Sequence, residues 1–136
     1  MAKILIVDDD PDMRLVISSV LRSRSYEVVE ACDGEEALTR LKEEEPDLMM
    51  LDLLMPRMDG FAVIKELKNP AHEKYPNLPI IIMSSIREEA SHRRYELEVG
   101  HKLDVSEYIE KPIEPFVLLE RIERFLSKGG KDAKTS

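Results

Sequence analysis

The sequence predicts an α/β fold in which helices cover both faces of one parallel sheet. Short apolar runs alternate with amphipathic segments five times along the chain. Strands that alternate with helices in this way pair in parallel through right-handed crossovers. The runs over residues 3–8, 47–53 and 80–84 are apolar almost throughout, as expected for strands buried on both faces. These observations favour a doubly wound five-stranded sheet.

The first strand and helix show how local chemistry sets each boundary. Residues 3–8 form an apolar, β-branched run that predicts a buried strand. Asp10 is a suitable helix cap, and Pro11 fits the first helical position. The helix that follows has apolar residues at helical spacing, which predicts one inward face made of Met13, Val16, Ile17, Val20 and Leu21.

The other elements continue this alternation. Asp33 is expected to cap the second helix and Pro46 to end it. The predicted strands are 26–31, 47–53, 80–84 and 107–110, and the predicted helices are 34–45, one marked by Phe61, Ile64 and Leu67, 86–99 and 115–127.

Five strands and five helices in this order predict the flavodoxin-like strand order 2-1-3-4-5. Folds of this kind bind ligands beyond the carboxyl ends of the strands, where the strand order reverses. We expect one domain over residues 1–127, followed by a flexible tail or linker over 128–136, whose GGKDAKTS composition is typical of linkers.

Composition limits the classes of function. The formal charge is −8, and no Lys/Arg-rich run provides the basic face that nucleic-acid binding requires. No apolar run approaches the length of a membrane span. The single Cys32 excludes an internal disulfide and a Cys-based zinc site. We therefore expect a cytoplasmic protein with no direct nucleic-acid or membrane partner.

Polar residues follow the predicted strands at the points where they end. Asp8 and Asp9 end the first strand, Asp52 lies near the end of the third, Ser84 ends the fourth and Lys111 follows the fifth. The predicted topology brings all of them to one rim. Since Asp10 can serve as the helix cap, two carboxylates remain there without a structural duty.

Neighbouring carboxylates repel by about 4 kcal/mol per pair at about 4 Å and an effective dielectric of about 20. A divalent cation removes that repulsion, and a few carboxylates at an open site suit Mg²⁺, with Mn²⁺ as a possible substitute. Such a site can support phosphoryl transfer to a carboxylate, with Lys111 and Ser84 holding phosphoryl oxygens. Asp52 is the candidate phosphoacceptor.

The chain resembles the response-regulator receiver domain of two-component signalling, including its chemotaxis-regulator-like members, over about residues 3–127. Five motifs in order carry the resemblance: ILIVDDD, ACDGEEAL, LMMLDLLMPRMDG, PIIIMSS and YIEKPI. The resemblance implies a signalling domain rather than an enzyme, one that catalyses only its own phosphorylation and slow dephosphorylation.

The resemblance also implies a role for each site residue. Asp52 accepts phosphate from a sensor histidine kinase or phosphotransfer protein. The Mg²⁺ ligands are Asp8, Asp9, Asp52 and the backbone carbonyl of Leu54. Ser84 and Lys111 contact the phosphoryl group, and Ser84 acts with Tyr108 as the switch. The surface of the fourth helix, fifth strand and last helix then controls a downstream protein or output domain. The chain is expected as a monomer or a phosphorylation-promoted homodimer.

Two departures from the family pattern affect these expectations. Leu54 and Ile86 are apolar where family members often have polar residues that help to position water, so slow dephosphorylation is expected. Residues 101–106 form an apparent insertion beside the output surface.

Three alternatives compete with a phosphorylation switch. An aspartate-nucleophile phosphatase of the haloacid dehalogenase type needs an acid two residues after the nucleophile, where this chain has Leu54. A flavin-binding module needs a phosphate loop after the first strand, where the acidic DDD would repel phosphate. A receiver-like scaffold that is never phosphorylated remains open.

Overall fold

The computed structural model describes residues 1–67, 78–84 and 107–127. Within these ranges five strands alternate with four helices: β1 (Lys3–Val7), α1 (Pro11–Arg22), β2 (Glu27–Ala31), α2 (Gly34–Glu44), β3 (Leu48–Asp52), α3 (Gly60–Leu67), β4 (Ile80–Ser84), β5 (Glu107–Glu110) and α4 (Pro115–Leu126). The predicted helix over residues 86–99, the segment 101–106 and the tail 128–136 lie outside the described residues.

The five strands form one parallel sheet in the order β2-β1-β3-β4-β5, as the sequence predicts. Observed strand bounds agree with the predicted ones to within a residue at each end. The order reverses between β1 and β3, which are paired with Val7 opposite Leu51. Asp8 and Asp52 therefore leave adjacent strands at the same edge.

Two separate apolar cores lie on the two faces of the sheet. Alternate residues of β1 divide between them: Leu5 and Val7 pack with α2 and α3, whereas Ile4 and Ile6 pack with α1 and α4. All five residues of β3 are buried, because helices cover both of its faces. This double covering holds the strand ends rigidly and so fixes the positions of the side chains that follow them.

The predicted helix caps are confirmed. The Asp10 carboxylate accepts a hydrogen bond from the backbone N–H of Asp12, with Pro11 as the first helical residue. Asp33 caps α2 by accepting from the N–H of Glu36 at 2.9 Å.

The predicted inward face of α1 is wrong at Val16. Its side chain is 52% exposed, whereas Ile17 and Leu21 are fully buried. The neighbouring position Ser18 is buried instead, and its hydroxyl donates to the carbonyl of Leu15 at 3.1 Å. Each residue turns a helix by about 100°, so the buried stripe is centred on Ile17 and Leu21 and continues toward Ser18, away from Val16.

Candidate functional site

The ends of β1, β3 and β5 place acidic and basic side chains on one rim of the sheet. Asp8 follows β1 directly, and its N–H donates to the carbonyl of Ala31 at 3.1 Å, which extends the pairing with β2 by one residue. Asp52 is the last residue of β3. Lys111 follows the last residue of β5. The sequence prediction that these strand ends converge is confirmed for Asp8, Asp52 and Lys111.

Three carboxylates form the centre of this rim. Asp8, Asp9 and Asp52 each offer one oxygen, and these oxygens lie within 4.8 Å of one another. Asp8 and Asp52 are buried at 1% and 2% exposure, whereas Asp9 is exposed. Burial lowers the screening of like charges, so the close approach of these groups is unfavourable without a positive charge among them.

Lys111 supplies part of that positive charge. Its Nζ lies 3.4 Å from Asp8 Oδ2 and 3.4 Å from Asp52 Oδ1, and only 19% of its side chain is exposed. The ammonium group therefore lies between carboxylates of two different strands. Partial burial makes these ion pairs stronger than pairs at an open surface.

The two oxygens of the Asp8 carboxylate differ in their contacts. Oδ1 accepts a hydrogen bond from the N–H of Asp10 at 3.0 Å. Oδ2 is buried and accepts no hydrogen bond within the described parts of the chain, although the Lys111 ammonium lies near it. Burial raises the pKa of Asp8 to about 6, with the Asp52 charge adding to the rise, while the Asp10 N–H and Lys111 oppose it.

These donors fit a magnesium ion. The set consists of carboxylate oxygens, which hard divalent cations prefer, and exposed Asp9 leaves the site open to the water that Mg²⁺ retains. The buried Asp8 Oδ2 has a lone pair that such an ion would satisfy.

The other predicted site residues lie near this rim to different extents. Ser84 is the last residue of β4, the strand between β3 and β5. Tyr108 lies on β5 and is 38% exposed. Leu54 lies in the loop after β3, where its half-buried side chain packs against the core on the α2 and α3 face. Ile86 lies outside the described residues.

The side-chain contacts of two arginines could not be predicted from the sequence. Arg14 Nη1 donates to the carbonyl of Asp8 at 2.6 Å, and its Nε donates to Glu30 at 3.0 Å. Arg57 pairs with Asp33, which the sequence identifies only as a helix cap. The Arg14–Glu30 and Asp33–Arg57 contacts join residues 16 and 24 positions apart, and no local pattern marks such partners.

Comparison with known families identifies the chain. The family described as the response regulator receiver domain matches residues 4–123. The chain belongs to this family. Receiver domains of response regulators act in two-component signalling, so the phosphatase and flavin-binding alternatives are set aside. None of the described helices is long and apolar enough to cross a membrane.

Similar proteins include several transcriptional regulators. The chain is 38% identical over 126 residues to the probable transcriptional regulator ycf27 of Porphyridium aerugineum, covering 93% of this chain and 48% of that protein. It is 32% identical to the alkaline phosphatase synthesis transcriptional regulatory protein PhoP of Bacillus subtilis, covering 93% of this chain and 49% of PhoP. This receiver domain thus spans about half the length of the curated relatives it matches.

Solved structures of other receiver domains have the same fold. A putative response regulator from Chloroflexus aurantiacus has a TM-score of 0.75 and 31% identity, covering 93% of this chain and 98% of that chain. The chemotaxis protein CheY4 of Vibrio cholerae has a TM-score of 0.75 and 29% identity, covering 93% and 99% of the two chains. The receiver domain of a signal transduction histidine kinase from Syntrophus aciditrophicus has a TM-score of 0.80 and 30% identity, covering 96% and 93%.

Proposed function

We propose that this receiver domain is a phosphorylation-activated switch in which Asp52 accepts a phosphoryl group. The observation that carries the proposal is the position of the Lys111 ammonium, 3.4 Å from oxygens of both Asp8 and Asp52 at the rim of the sheet. A carboxylate nucleophile beside a cation and further carboxylates is the arrangement that phosphoryl transfer to an aspartate requires.

An Asp52 carboxylate oxygen attacks the phosphorus of a phosphohistidine on a sensor histidine kinase or phosphotransfer protein. A bond from oxygen to phosphorus forms and the phosphorus–nitrogen bond breaks, with its electron pair left on the imidazole. The product is an acyl phosphate on Asp52. Lys111 and the Ser84 hydroxyl would hold the new phosphoryl oxygens.

Asp8, Asp9, Asp52 and the Leu54 carbonyl would hold the divalent cation, Mg²⁺ or in its place Mn²⁺. When bound, the ion supplies positive charge that offsets the charge of the carboxylates and phosphoryl oxygens. Within the protein, the Asp10 N–H holds Asp8 Oδ1, and the buried Oδ2, which accepts no hydrogen bond within the described residues, would be the oxygen available to the ion.

The switch would operate as a population shift. The phosphoryl group adds charge and acceptor oxygens, toward which Ser84 and Lys111 move. Tyr108 then turns inward, and the surface of the segment 86–99, β5 and α4 changes for a downstream protein or output domain. Because phosphohistidine donors derive from ATP inside the cell, we infer a cytoplasmic location. The charge of −8 supports a protein partner rather than nucleic acid.

Intact-mass measurement tests the proposal. Incubation with Mg²⁺ and acetyl phosphate should add one phosphoryl group, and EDTA should prevent it. Asp52→Asn should abolish the addition. Asp12→Asn is the matched control, because Asp12 is an exposed acid in the first turn of α1, outside the carboxylate cluster. Absence of modification in a protein that demonstrably binds Mg²⁺ would instead identify an unphosphorylated scaffold.

A further inference from the structure

Two backbone hydrogen bonds hold the loop over residues 53–59, which runs from β3 to α3. The Gly60 N–H donates to the carbonyl of Leu53 at 2.9 Å, which closes the loop on itself. The Gly34 N–H donates to the carbonyl of Met58 at 2.9 Å, which joins the loop to the start of α2. A Cβ added at Gly34 would lie 2.5 Å from that Met58 oxygen, so the close approach requires glycine.

An ion pair is a second contact between this loop and the start of α2. Arg57 Nε donates to Asp33 Oδ2 at 3.0 Å, and Nη2 donates to the same oxygen. The Asp33 side chain is only 6% exposed, whereas that of Arg57 is 61% exposed. The N–H of Glu36 and the Arg57 guanidinium together lower the pKa of Asp33, which keeps this buried acid ionised.

Arg57 makes this contact from a left-handed backbone conformation, with φ of 66°. A residue other than glycine is strained in this conformation, because its Cβ comes close to the backbone. The strained residue is thus the one whose side chain pairs with Asp33. The ion pair and the Gly34 hydrogen bond offset this strain and fix the path of the loop.

We propose that the Asp33–Arg57 ion pair is a latch that positions the loop after Asp52 and thereby sets the affinity of the acidic site for a divalent cation. The inference rests on the proposed function, which assigns the Leu54 carbonyl of this loop to the cation. A carbonyl ligand has no side-chain freedom, so the loop backbone alone determines where it points. Asp33 and Arg57 are positioning residues that act through that backbone.

Charge and geometry predict opposite effects of removing Arg57. Loss of one positive charge from the protein would, through simple electrostatics, tighten cation binding or leave it unchanged. Loss of the latch loosens the loop and weakens binding. The sign of the change in Kd in Arg57→Asn distinguishes the two effects. Asn tolerates the left-handed conformation but has no guanidinium to reach Asp33, so this variant removes the ion pair without adding backbone strain.

Calorimetric titration with Mg²⁺ measures the effect. We expect Arg57→Asn to raise the Kd for Mg²⁺ about three- to tenfold, at or below the roughly tenfold lower limit for residues that orient metal ligands. Asp33→Asn should do the same, since its remaining oxygen can still cap α2 while its amide cannot accept from Arg57. The double variant should bind no more weakly than either single variant. Arg24→Gln is the matched control, because it removes one positive charge from a half-exposed pair with Glu123 and should leave the Kd unchanged.

Amide hydrogen exchange on the metal-free protein gives an independent readout. Both single variants should raise the exchange rates of the Gly34 and Gly60 amides, which donate the two backbone hydrogen bonds of this loop, about tenfold while the strands keep their protection. A Kd that is unchanged or tighter in Arg57→Asn would overturn the latch, even if its Tm falls. If the unmodified protein binds no Mg²⁺ at all, the proposed function itself fails, and the role of the latch in cation affinity fails with it.

Discussion

Asp8 combines burial with the proximity of a like charge. Its carboxylate is 1% exposed, and the oxygens of Asp9 and Asp52 lie within 4.8 Å of its own. Lys111 offsets only part of this cost, so the pKa of Asp8 is raised from 3.8 to about 6, chiefly by burial. The protein keeps an arrangement that weakens its own metal-free fold, which is typical of a binding site rather than of a stabilising element.

The raised pKa predicts how stability depends on pH in metal-free protein. Between about pH 4 and pH 6, Asp8 is protonated to a greater extent in the folded state than in the unfolded state. The stabilising contribution of this proton is therefore present at low pH and is lost as pH rises through 6. Asp8→Asn removes the charge, so we expect it to raise the free energy of unfolding at pH 7.5 in EDTA by about 1–3 kcal/mol.

Urea unfolding across pH checks this prediction. Glu43→Gln, which removes an exposed acid on α2, is the control and should change the free energy by less than about 0.5 kcal/mol. Added Mg²⁺ should stabilise the unmodified protein and have much less effect on Asp8→Asn. Equal or lower stability of Asp8→Asn in EDTA would contradict the electrostatic account.

At the scale of the helix, the residue that caps the C-terminus of α2 has a strained backbone conformation. Glu45 terminates the helix in the left-handed conformation, with φ of 49°, while its N–H donates to the carbonyl of Leu41 at 3.2 Å. Glycine is the residue usually found in this conformation, because it has no Cβ to clash with the backbone. The following residue is Pro46, which cannot extend the helix.

Replacement of Glu45 by glycine should therefore stabilise the protein. Relief of the left-handed strain is worth about 1–2 kcal/mol, and the greater freedom of glycine in the unfolded chain offsets part of it. We expect a net gain of about 0.5–1 kcal/mol in thermal or urea unfolding. Glu43→Gly, placed inside the same helix, should instead cost about 1 kcal/mol. A loss of stability in Glu45→Gly would show that the Glu45 side chain contributes more than its strain costs.

The elements also show which features the sequence could predict. Strand order, element bounds and the caps at Asp10 and Asp33 follow from local pattern, and all are observed in the described residues. Val16 was wrongly predicted because apolar spacing gives the period of a helix but only approximately the centre of its buried face.

The site was predictable where topology alone determines it. Parallel strands end at one rim, so the sequence alone predicts that Asp8, Asp52 and Lys111 lie together. The Asp33–Arg57 contact joins residues 24 positions apart and depends on a left-handed turn at Arg57. Neither the partner nor the conformation has a sequence signal of its own.

At the scale of the whole molecule, the same receiver fold occurs in several settings. The CheY4 chain is almost entirely covered by this chain, whereas ycf27 and PhoP are about twice its matched length. The Syntrophus receiver domain belongs to a histidine kinase. Under the proposed function, a rim that stores a phosphoryl group would serve each setting, because the partner would contact only the surface that the rim controls. The lifetime of that group then limits how long the signal lasts.

Two apolar residues, Leu54 and Ile86, predict a long lifetime of the phosphoryl group that we propose on Asp52. Hydrolysis of an acyl phosphate needs water directed at the phosphorus, and an apolar side chain cannot hydrogen-bond to such a water. Leu54, two residues after Asp52, is apolar and packs against the core, and Ile86 is apolar at the corresponding position after Ser84. We therefore expect slow loss of phosphate from the unmodified protein.

Replacing both residues with asparagine should shorten the lifetime about tenfold, less than the roughly 10²–10⁴-fold that a full general base contributes. The measurement is the decay of the phosphorylated mass after acetyl phosphate is removed. Val16→Gln is the control, because it exchanges an exposed apolar side chain on α1 for a polar one and should leave the decay unchanged. A lifetime that stays the same or lengthens in the double variant would mean that water reaches the phosphorus by a path these residues do not control.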